Sequence, residues 1–380
     1  MAIIAAPRIF TGGNFIDNAS IEIRGDRIIA IHSPALPADV SLSSGFLTAG
    51  MIDLQVNGFA GTDFVTGTDE GWRVARRAIG ATGVTSFLPT FITAPIPTLA
   101  AAMTRTAGFL EQREGSRALG FHLEGPFLSE RRKGAHDESV MCDPTSEVVD
   151  QLLEASCGRL MMVTLAPERA HALTAIHTLT ERGVTVSIGH SDAQQDQTLA
   201  ALDAGAGMVT HLFNAMPAMN HREPGLVGVA LTDSRAHLGV IADLHHLSPR
   251  VVQLIFAAAA DRVVLVTDAI AAATMRSGTY ELGGDIVHLA DGLPRRSDGT
   301  IAGSALTMDE AIRNTVNVCG VPLTQALDSA TRIPAETIGA VGIGDLTPGL
   351  LADLVWWSPD LRPLRVWVDG EIVHDAGHQV

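Results

Sequence analysis

Between residues 50 and 268 the chain alternates two patterns of hydrophobic and polar positions. The first is a short run that is apolar at nearly every position. There are eight: GMIDLQV (50–56), VTSFLPTF (84–91), ALGFHLE (118–124), LMMVTLA (160–166), VTVSIGH (184–190), GMVTHLF (207–213), HLGVIAD (237–243) and RVVLVTD (262–268). The second is a longer stretch rich in Ala, Leu and Glu, such as DEGWRVARRAIGATG, TLAAAMTRTAGFLEQRE, ERAHALTAIHTLTERG and DAQQDQTLAALDAG. Continuous apolar runs separated by helices predict a parallel sheet buried on both faces. Eight such units in roughly 220 residues predict an α/β fold, a (β/α)8 TIM-like barrel. An open doubly wound sheet is the alternative. It would usually carry a glycine-rich nucleotide turn after its first strand, and DLQVNGFAG has no GxGxxG.

The two ends of the chain follow a different rule. IEIRGDRIIAIH (21–32) and LRVWVDGEIVH (364–374) alternate apolar and polar positions about a Gly-Asp and an Asp-Gly turn, as β-hairpins do. ADLVWW (352–357) is a further strand. Two β-rich ends flanking a barrel are expected to meet in one small β-sandwich domain, which hides their edges. The expected division is residues 1–48 and 345–380 for that domain and 49–344 for the catalytic barrel. After the eighth run, the Gly- and Asp-rich TMRSGTYELGGDIVHLADGLPRRSDGTIAG predicts a hairpin insertion or lid. LTMDEAIRNTVNVCG and PLTQALDSATRIPAETIG each predict a helix.

Composition narrows the function. In 380 residues, 46% are hydrophobic and 18% charged, enough to bury a large core. The net charge of −16 argues against a general nucleic-acid or membrane-surface binder. Three cysteines, Cys142, Cys157 and Cys319, are widely spaced without a CxxC, so reduced thiols are expected. The start, MAIIAAPRIFTGG, lacks the basic and long apolar regions of a signal peptide, and no apolar run reaches membrane-span length. A cytoplasmic protein is expected.

The chemistry is at the ends of the apolar runs, where barrel enzymes carry their reactive groups. In order these are Gln55 and Asn57, Glu124, His190, His211, Asp243 with His245 and His246, and Asp268. One histidine at a strand end means little. Two His and one Glu, each ending its own strand, can converge on the barrel axis, and His2Glu with an open position is a catalytic zinc set. Its ion would lower the pKa of a bound water to about 7. Asp268 is then placed to take that water's proton. An Asp in this position also caps helices, but beside Glu124, His190 and His211 the acid–base role is the reading adopted. Gln55 and Asn57, two apart on a strand, point to one side. Why neutral amides end a buried strand there is left open by spacing alone.

HLEGPFLSERRKGAHD, SIGHSDA, THLFNAMPAMNHREPG, LVTDAI and GSALTMDEAIRNTV together resemble the N-acetylglucosamine-6-phosphate deacetylases of the amidohydrolase superfamily, over nearly the whole chain. The resemblance implies a metal-dependent hydrolase that converts N-acetyl-D-glucosamine 6-phosphate to acetate and D-glucosamine 6-phosphate. It implies Glu124, His190 and His211 as metal ligands and Asp268 as the catalytic aspartate. His136, with Ala135 beside it, would approach the substrate. Asn214, Ala215 and His246 would contact the sugar phosphate, and Arg222 would be lent by the other subunit of a homodimer. Ile301, Ala302 and Gly303 would line the acetyl end. Spacing does not separate His245 from His246; the motif match selects His246.

Many amidohydrolases have His-x-His where this chain has Gln55 and Asn57. Amides are weak ligands for transition metals, so the resemblance implies one divalent ion per subunit, Zn2+ first, with Fe2+, Co2+ and Mn2+ as alternatives. The amides would satisfy hydrogen bonds at the barrel mouth. Rival readings are an epimer-specific deacetylase, a cyclic-amide hydrolase or deaminase, and a non-catalytic barrel that senses a sugar phosphate.

Overall fold

A computed structural model of the chain describes residues 1–112 and 114–377; Arg113, within the stretch 98–114 predicted as helical from sequence, and the last three residues of the C-terminal segment lie outside the described residues. Eight parallel strands form the barrel: β1 (Met51–Val56), β2 (Val84–Ile92), β3 (Phe121–Glu124), β4 (Leu160–Leu165), β5 (Thr185–Ile188), β6 (Met208–Val209), β7 (His237–Val240) and β8 (Val263–Leu265). Each pairs with the next in sequence, as right-handed β–α crossovers dictate. The ring closes just beyond β8. Val56 and Ala269 form a parallel bridge, the Asp268 N–H donates to Gln55 O at 2.9 Å, and the Asn57 N–H donates to Ala269 O at 2.7 Å. Closure therefore uses the same residues that carry the candidate chemistry.

The apolar runs form strands because both faces are covered. Leu54, Phe87, Phe91, Phe121, Leu123, Val163, Val186, Leu238 and Val264 are buried in one continuous core with the helices outside. Three expectations need correction. The run 118–124 is two strands, Arg117–Ala118 and Phe121–Glu124, because the backbone at Gly120 presses on its neighbour; a Cβ there would lie 2.5 Å from Arg159 O. Phe121 then donates its N–H to that same Arg159 O at 2.7 Å. The predicted helix 322–339 is two, Leu323–Asp328 and Arg332–Thr337. Between them Ser329 O and Ala330 O turn out of the helix to accept the N–H groups of Leu265 and Ile52, each at 2.8 Å. The predicted helix 306–320 is α-helical over Met308–Arg313 and continues as a π-turn over Asn314–Val318.

The two chain ends meet as predicted. One eight-stranded sheet runs in the order 371–375, 363–368, 354–357, 46–49, 2–11, 14–24 and 27–32, with Val40–Ser41 beside the 2–11 strand. Ile21 and Ile28 from one end of this order share a core with Trp367 from the other. The sandwich is thus one sheet folded over itself. The insertion is a three-stranded antiparallel sheet, Gly278–Leu282, Asp285–Ala290 and Leu293–Arg295. It is tied over the barrel mouth by the Gly283 N–H on Asp63 Oδ2 at 3.0 Å and by Arg296, which bonds Ala135 O and pairs with Asp285 at 3.1 Å. Among the described residues no helix is long and apolar enough to cross a membrane.

Below the mouth, buried Asp53 links β1 to the closing segment. It accepts from Thr267 Oγ1 at 2.6 Å and from the N–H groups of Thr267 and Gln55, both at 3.2 Å. Burial pushes its pKa up from 3.8 to about 7, against the pull of those hydrogen bonds. An acid whose folded pKa is raised binds more protons folded than unfolded, so its contribution is complete below about 3.8 and is lost as pH rises toward 7. Relative to Asp53→Asn, the native chain should therefore lose stability between pH 4 and pH 8. Denaturant unfolding of both proteins at the two pH values checks this, and a constant difference between them contradicts it.

Candidate active site

Several site residues interrupt their strands with an unusual backbone. His190, His211 and Asp268 have φ of 46°, 28° and 51°, and Phe213 and Ala215 follow at 76° and 52°. Non-glycine residues seldom occupy this left-handed region, and such strain persists only when neighbours hold it. Here backbone hydrogen bonds do so. Ser129 N–H donates to His190 O at 2.9 Å, Leu212 N–H to Gly239 O at 2.8 Å, and Ser304 N–H to Asp268 O at 2.8 Å. This break is why β6 ends at Val209, well short of the apolar run. Gly303, at φ 59°, lets the returning chain lie against Asp268; a Cβ there would meet Asp268 O at 2.9 Å.

Glu124, His190 and His211 converge at the axis, all buried. His211 Nε2 lies 3.1 Å from Glu124 Oε1 and 3.0 Å from His190 Nε2, and His190 Nε2 lies 3.3 Å from Glu124 Oε1. The Arg132 carbonyl, 2.8 Å from His190 Nδ1, can only accept, so the His190 proton sits on Nδ1 and its Nε2 presents a lone pair. That lone pair faces a second imidazole nitrogen and a carboxylate oxygen, an arrangement that calls for a cation between them. The triangle is close to the roughly 3.3–3.4 Å edges set by tetrahedral bonds of 2.0–2.1 Å. The donor set fits a divalent metal ion. Burial alone would raise the Glu124 pKa, but its close contacts with the His190 and His211 imidazoles outweigh it and hold Glu124 well below the ordinary range.

Asp268 stands beside this triangle. Its Oδ1 accepts from Asn57 Nδ2 at 2.7 Å and from Gln55 Nε2 at 3.1 Å, and Gln55 Nε2 also reaches Glu124 Oε1 at 2.9 Å. The two amides thus supply N–H donors between two buried carboxylates. Burial, reinforced by the nearby Glu124 charge, pushes the Asp268 pKa up. His136 packs edge-on to His190, with ring centroids 4.4 Å apart. Burial, with His190 beside it, drives the His136 pKa down to about 3, so it is neutral. Its Nδ1 lies 2.8 Å from Thr93 Oγ1, a hydroxyl that can donate or accept, and 3.4 Å from the Thr93 N–H.

These groups open into one cavity of about 260 Å³. Of the residues singled out in the sequence, Asn57, Glu124, Ala135, His136, His190, His211, Asn214, Ala215, His246, Asp268, Ile301 and Gly303 line it. Gln55 lies just beneath, bonded to both carboxylates. Ala302 does not face the cavity; it is buried in the insertion's own core with Leu282 and Val287. Arg222 is exposed on the loop after β6, outside the cavity of its own chain. Of the two adjacent histidines only His246 faces the cavity, while His245 lies outside with Met275 and Asp291. The apolar wall of Ile92, Ile241 and Leu282, with Gly134 and Thr300, was not foreseen. For Ile92 and Ile241 a signal existed, since both sit at or just past the end of a strand.

The sequence profile of the amidohydrolase family matches residues 46–373. The chain is 37% identical to the N-acetylgalactosamine-6-phosphate deacetylase of Escherichia coli O157:H7 over 372 residues, 97% of this chain and 98% of that protein. It is 35% identical to the N-acetylglucosamine-6-phosphate deacetylase of Vibrio furnissii, over 91% of this chain and 86% of that one. The crystal structure of N-acetyl-D-glucosamine-6-phosphate deacetylase from Mycobacterium smegmatis superposes with a TM-score of 0.94 at 35% identity, covering 98% of this chain and 100% of that one.

Proposed function

Because the chain belongs to the amidohydrolase family of metal-dependent hydrolases, we propose that it deacetylates N-acetyl-D-glucosamine 6-phosphate, releasing acetate and D-glucosamine 6-phosphate in amino-sugar breakdown. The activity named for its relatives supports the reading. The observation that carries it is a proton-accepting carboxylate, Asp268, fixed by two amides beside a three-donor metal cluster in one cavity.

In this reading Glu124, His190 and His211 hold one divalent ion, zinc first. Such an ion acidifies a bound water to a pKa of about 7 and polarises an amide carbonyl. Gln55 and Asn57 engage Asp268 Oδ1, which leaves Oδ2 to move the proton. Asp268 takes the proton of the attacking water and returns it to the sugar nitrogen, so that the acetamide C–N bond breaks to acetate and a free amine. The raised proton affinity of Asp268 suits a group that must hold that proton between the two events. Neutral His136 donates its Nε2–H toward the oxyanion. Ala135 and the Ile301–Gly303 segment border the acetyl end, with Ala302 acting through the backbone.

Asn214, Ala215 and His246 receive the sugar phosphate at the other end of the cavity. Arg222, exposed on its own chain, completes a neighbour's site in a homodimer, where its guanidinium fork suits a phosphate. The cell compartment proposed is the cytoplasm, and the proposed domain division is at residues 48/49 and 344/345. A second reading, the galactosamine epimer as substrate, is favoured by the 37% identity to an N-acetylgalactosamine-6-phosphate deacetylase over 97% of this chain.

Acetate release from N-acetylglucosamine, N-acetylgalactosamine and their 6-phosphates tests the reading. The 6-phosphates should be strongly preferred, with the glucosamine epimer first. Equal turnover of the free sugars points to another amidohydrolase, and no turnover of any points to a binding protein. His190→Ala and His211→Ala should each lose bound metal in elemental analysis. Asp268→Asn should keep the metal while kcat falls by about 10²–10⁴-fold. A near-normal kcat in that variant ends the acid–base assignment.

A further inference from the structure

His246 reaches the cavity on a turn that the chain holds at some cost. Leu244, two residues earlier, has φ 65°, a conformation few side chains adopt. Asp243 clamps the turn. Its Oδ1 accepts the N–H groups of His245 and His246, each at 2.9 Å, and its Oδ2 accepts from His246 Nδ1 at 2.7 Å. The side chains of Asp243 and His246 are only 8% and 9% exposed, so this pair is buried and little screened. A second tether holds the start of the turn. Asn314, the first residue of the π-turn, donates its Nδ2–H to Ala242 O at 2.9 Å. Single π-turns inside helices often mark places where function overrides regular geometry.

The mechanism above makes no use of Asp243. We propose that Asp243 is a positioning residue that presents a charged His246 to the anionic group of the substrate, and so sets the enzyme's selectivity for phosphorylated sugars. This rests on the phosphate-binding role given to His246 above. A carboxylate on Nδ1 fixes which ring nitrogen faces the cavity, leaving Nε2–H to donate to an oxyanion. Burial works against a charge on His246, but the Asp243 hydrogen bond and charge, helped by the charge of Asp268, outweigh it and raise its pKa. Asp243 and Asp268 are the charged groups that act on the ring, the first from its own turn and the second from the end of β8. In a chain of net charge −16, a fixed local cation is the means by which one cavity can attract a phosphate.

Asp243→Asn separates this role from a structural one. The amide oxygen still accepts the two turn N–H groups, while the amide NH2 now meets Nδ1 and removes the carboxylate that sustains the charge. In the metal-loaded full-length enzyme, KM for N-acetyl-D-glucosamine 6-phosphate should rise about 10-fold or more, as loss of a charge-assisted hydrogen bond implies. kcat should stay within roughly 3-fold. kcat/KM for unphosphorylated N-acetyl-D-glucosamine should change little, so the preference for the phosphate collapses. His246→Gln should raise KM for the 6-phosphate at least as much, and the double variant should lose no more than His246→Gln alone. An equal loss on both substrates, an unchanged KM, or additive losses overturns the proposal. If the native enzyme itself turns over both sugars alike, the phosphate-binding reading fails first, and the two failures are told apart by that control.

Discussion

Glu124, His190 and His211 meet within about one hydrogen-bond length of one another at the buried mouth of this barrel, Asp268 is joined to them through Gln55, and the rest of the structure answers to that constraint. Glu124 and Asp268 cannot both lie ionised side by side in a dry site without compensation. The structure supplies it in three forms. His190 and His211 press on Glu124 and keep it ionised, the amides of Gln55 and Asn57 bond the carboxylates from below, and the nitrogen lone pairs call for an ion at the centre. With imidazoles in place of those amides, the first strand would offer further metal ligands. With amides, it offers N–H donors to carboxylate oxygens. In the proposed function, a single ion and a proton-holding aspartate would both follow from one pair of residues on one strand.

The same constraint explains the backbone. Side chains from five strands can reach a common point only if several strands stop early and turn inward, and the left-handed residues His190, His211 and Asp268 are those turns. Each is tied by a neighbour's N–H, and barrel closure runs through Gln55, Asn57 and Asp268 themselves. Chemistry and closure thus share atoms. The insertion over residues 278–295 adds the apolar wall at Leu282 and is held by Asp63 and Arg296, which ties the cavity's outer side to the barrel.

Much of this was legible in the chain. Several apolar runs of one barrel that each end in Glu, His or Asp stand out together where any one alone would not, and Glu124, His190, His211 and Asp268 are legible in that combination. The pairing of the two β-rich ends followed from their hairpin turns. Local patterning fell short where a distant backbone decides. The break at Ser329–Thr331 exists because Ile52 of β1 and Leu265 of β8 need carbonyl acceptors, which no helical periodicity encodes. Gly120 splits a strand because of Arg159 at the start of the adjacent strand. Spacing alone left His245 and His246 equivalent, the motif match selected His246, and the Asp243 turn is what holds that ring at the cavity. Ala302 alternates with its neighbours Ile301 and Gly303, so its side chain takes the opposite face.

The central claim is that Gln55 and Asn57 replace a second ion rather than help to bind one. Anomalous diffraction at the metal edge, from crystals grown with divalent metal in excess, tests it most directly. The account predicts one peak per chain, within bonding distance of Glu124, His190 and His211, with both amides still on Asp268. A second full peak against Gln55 or Asn57 would contradict it.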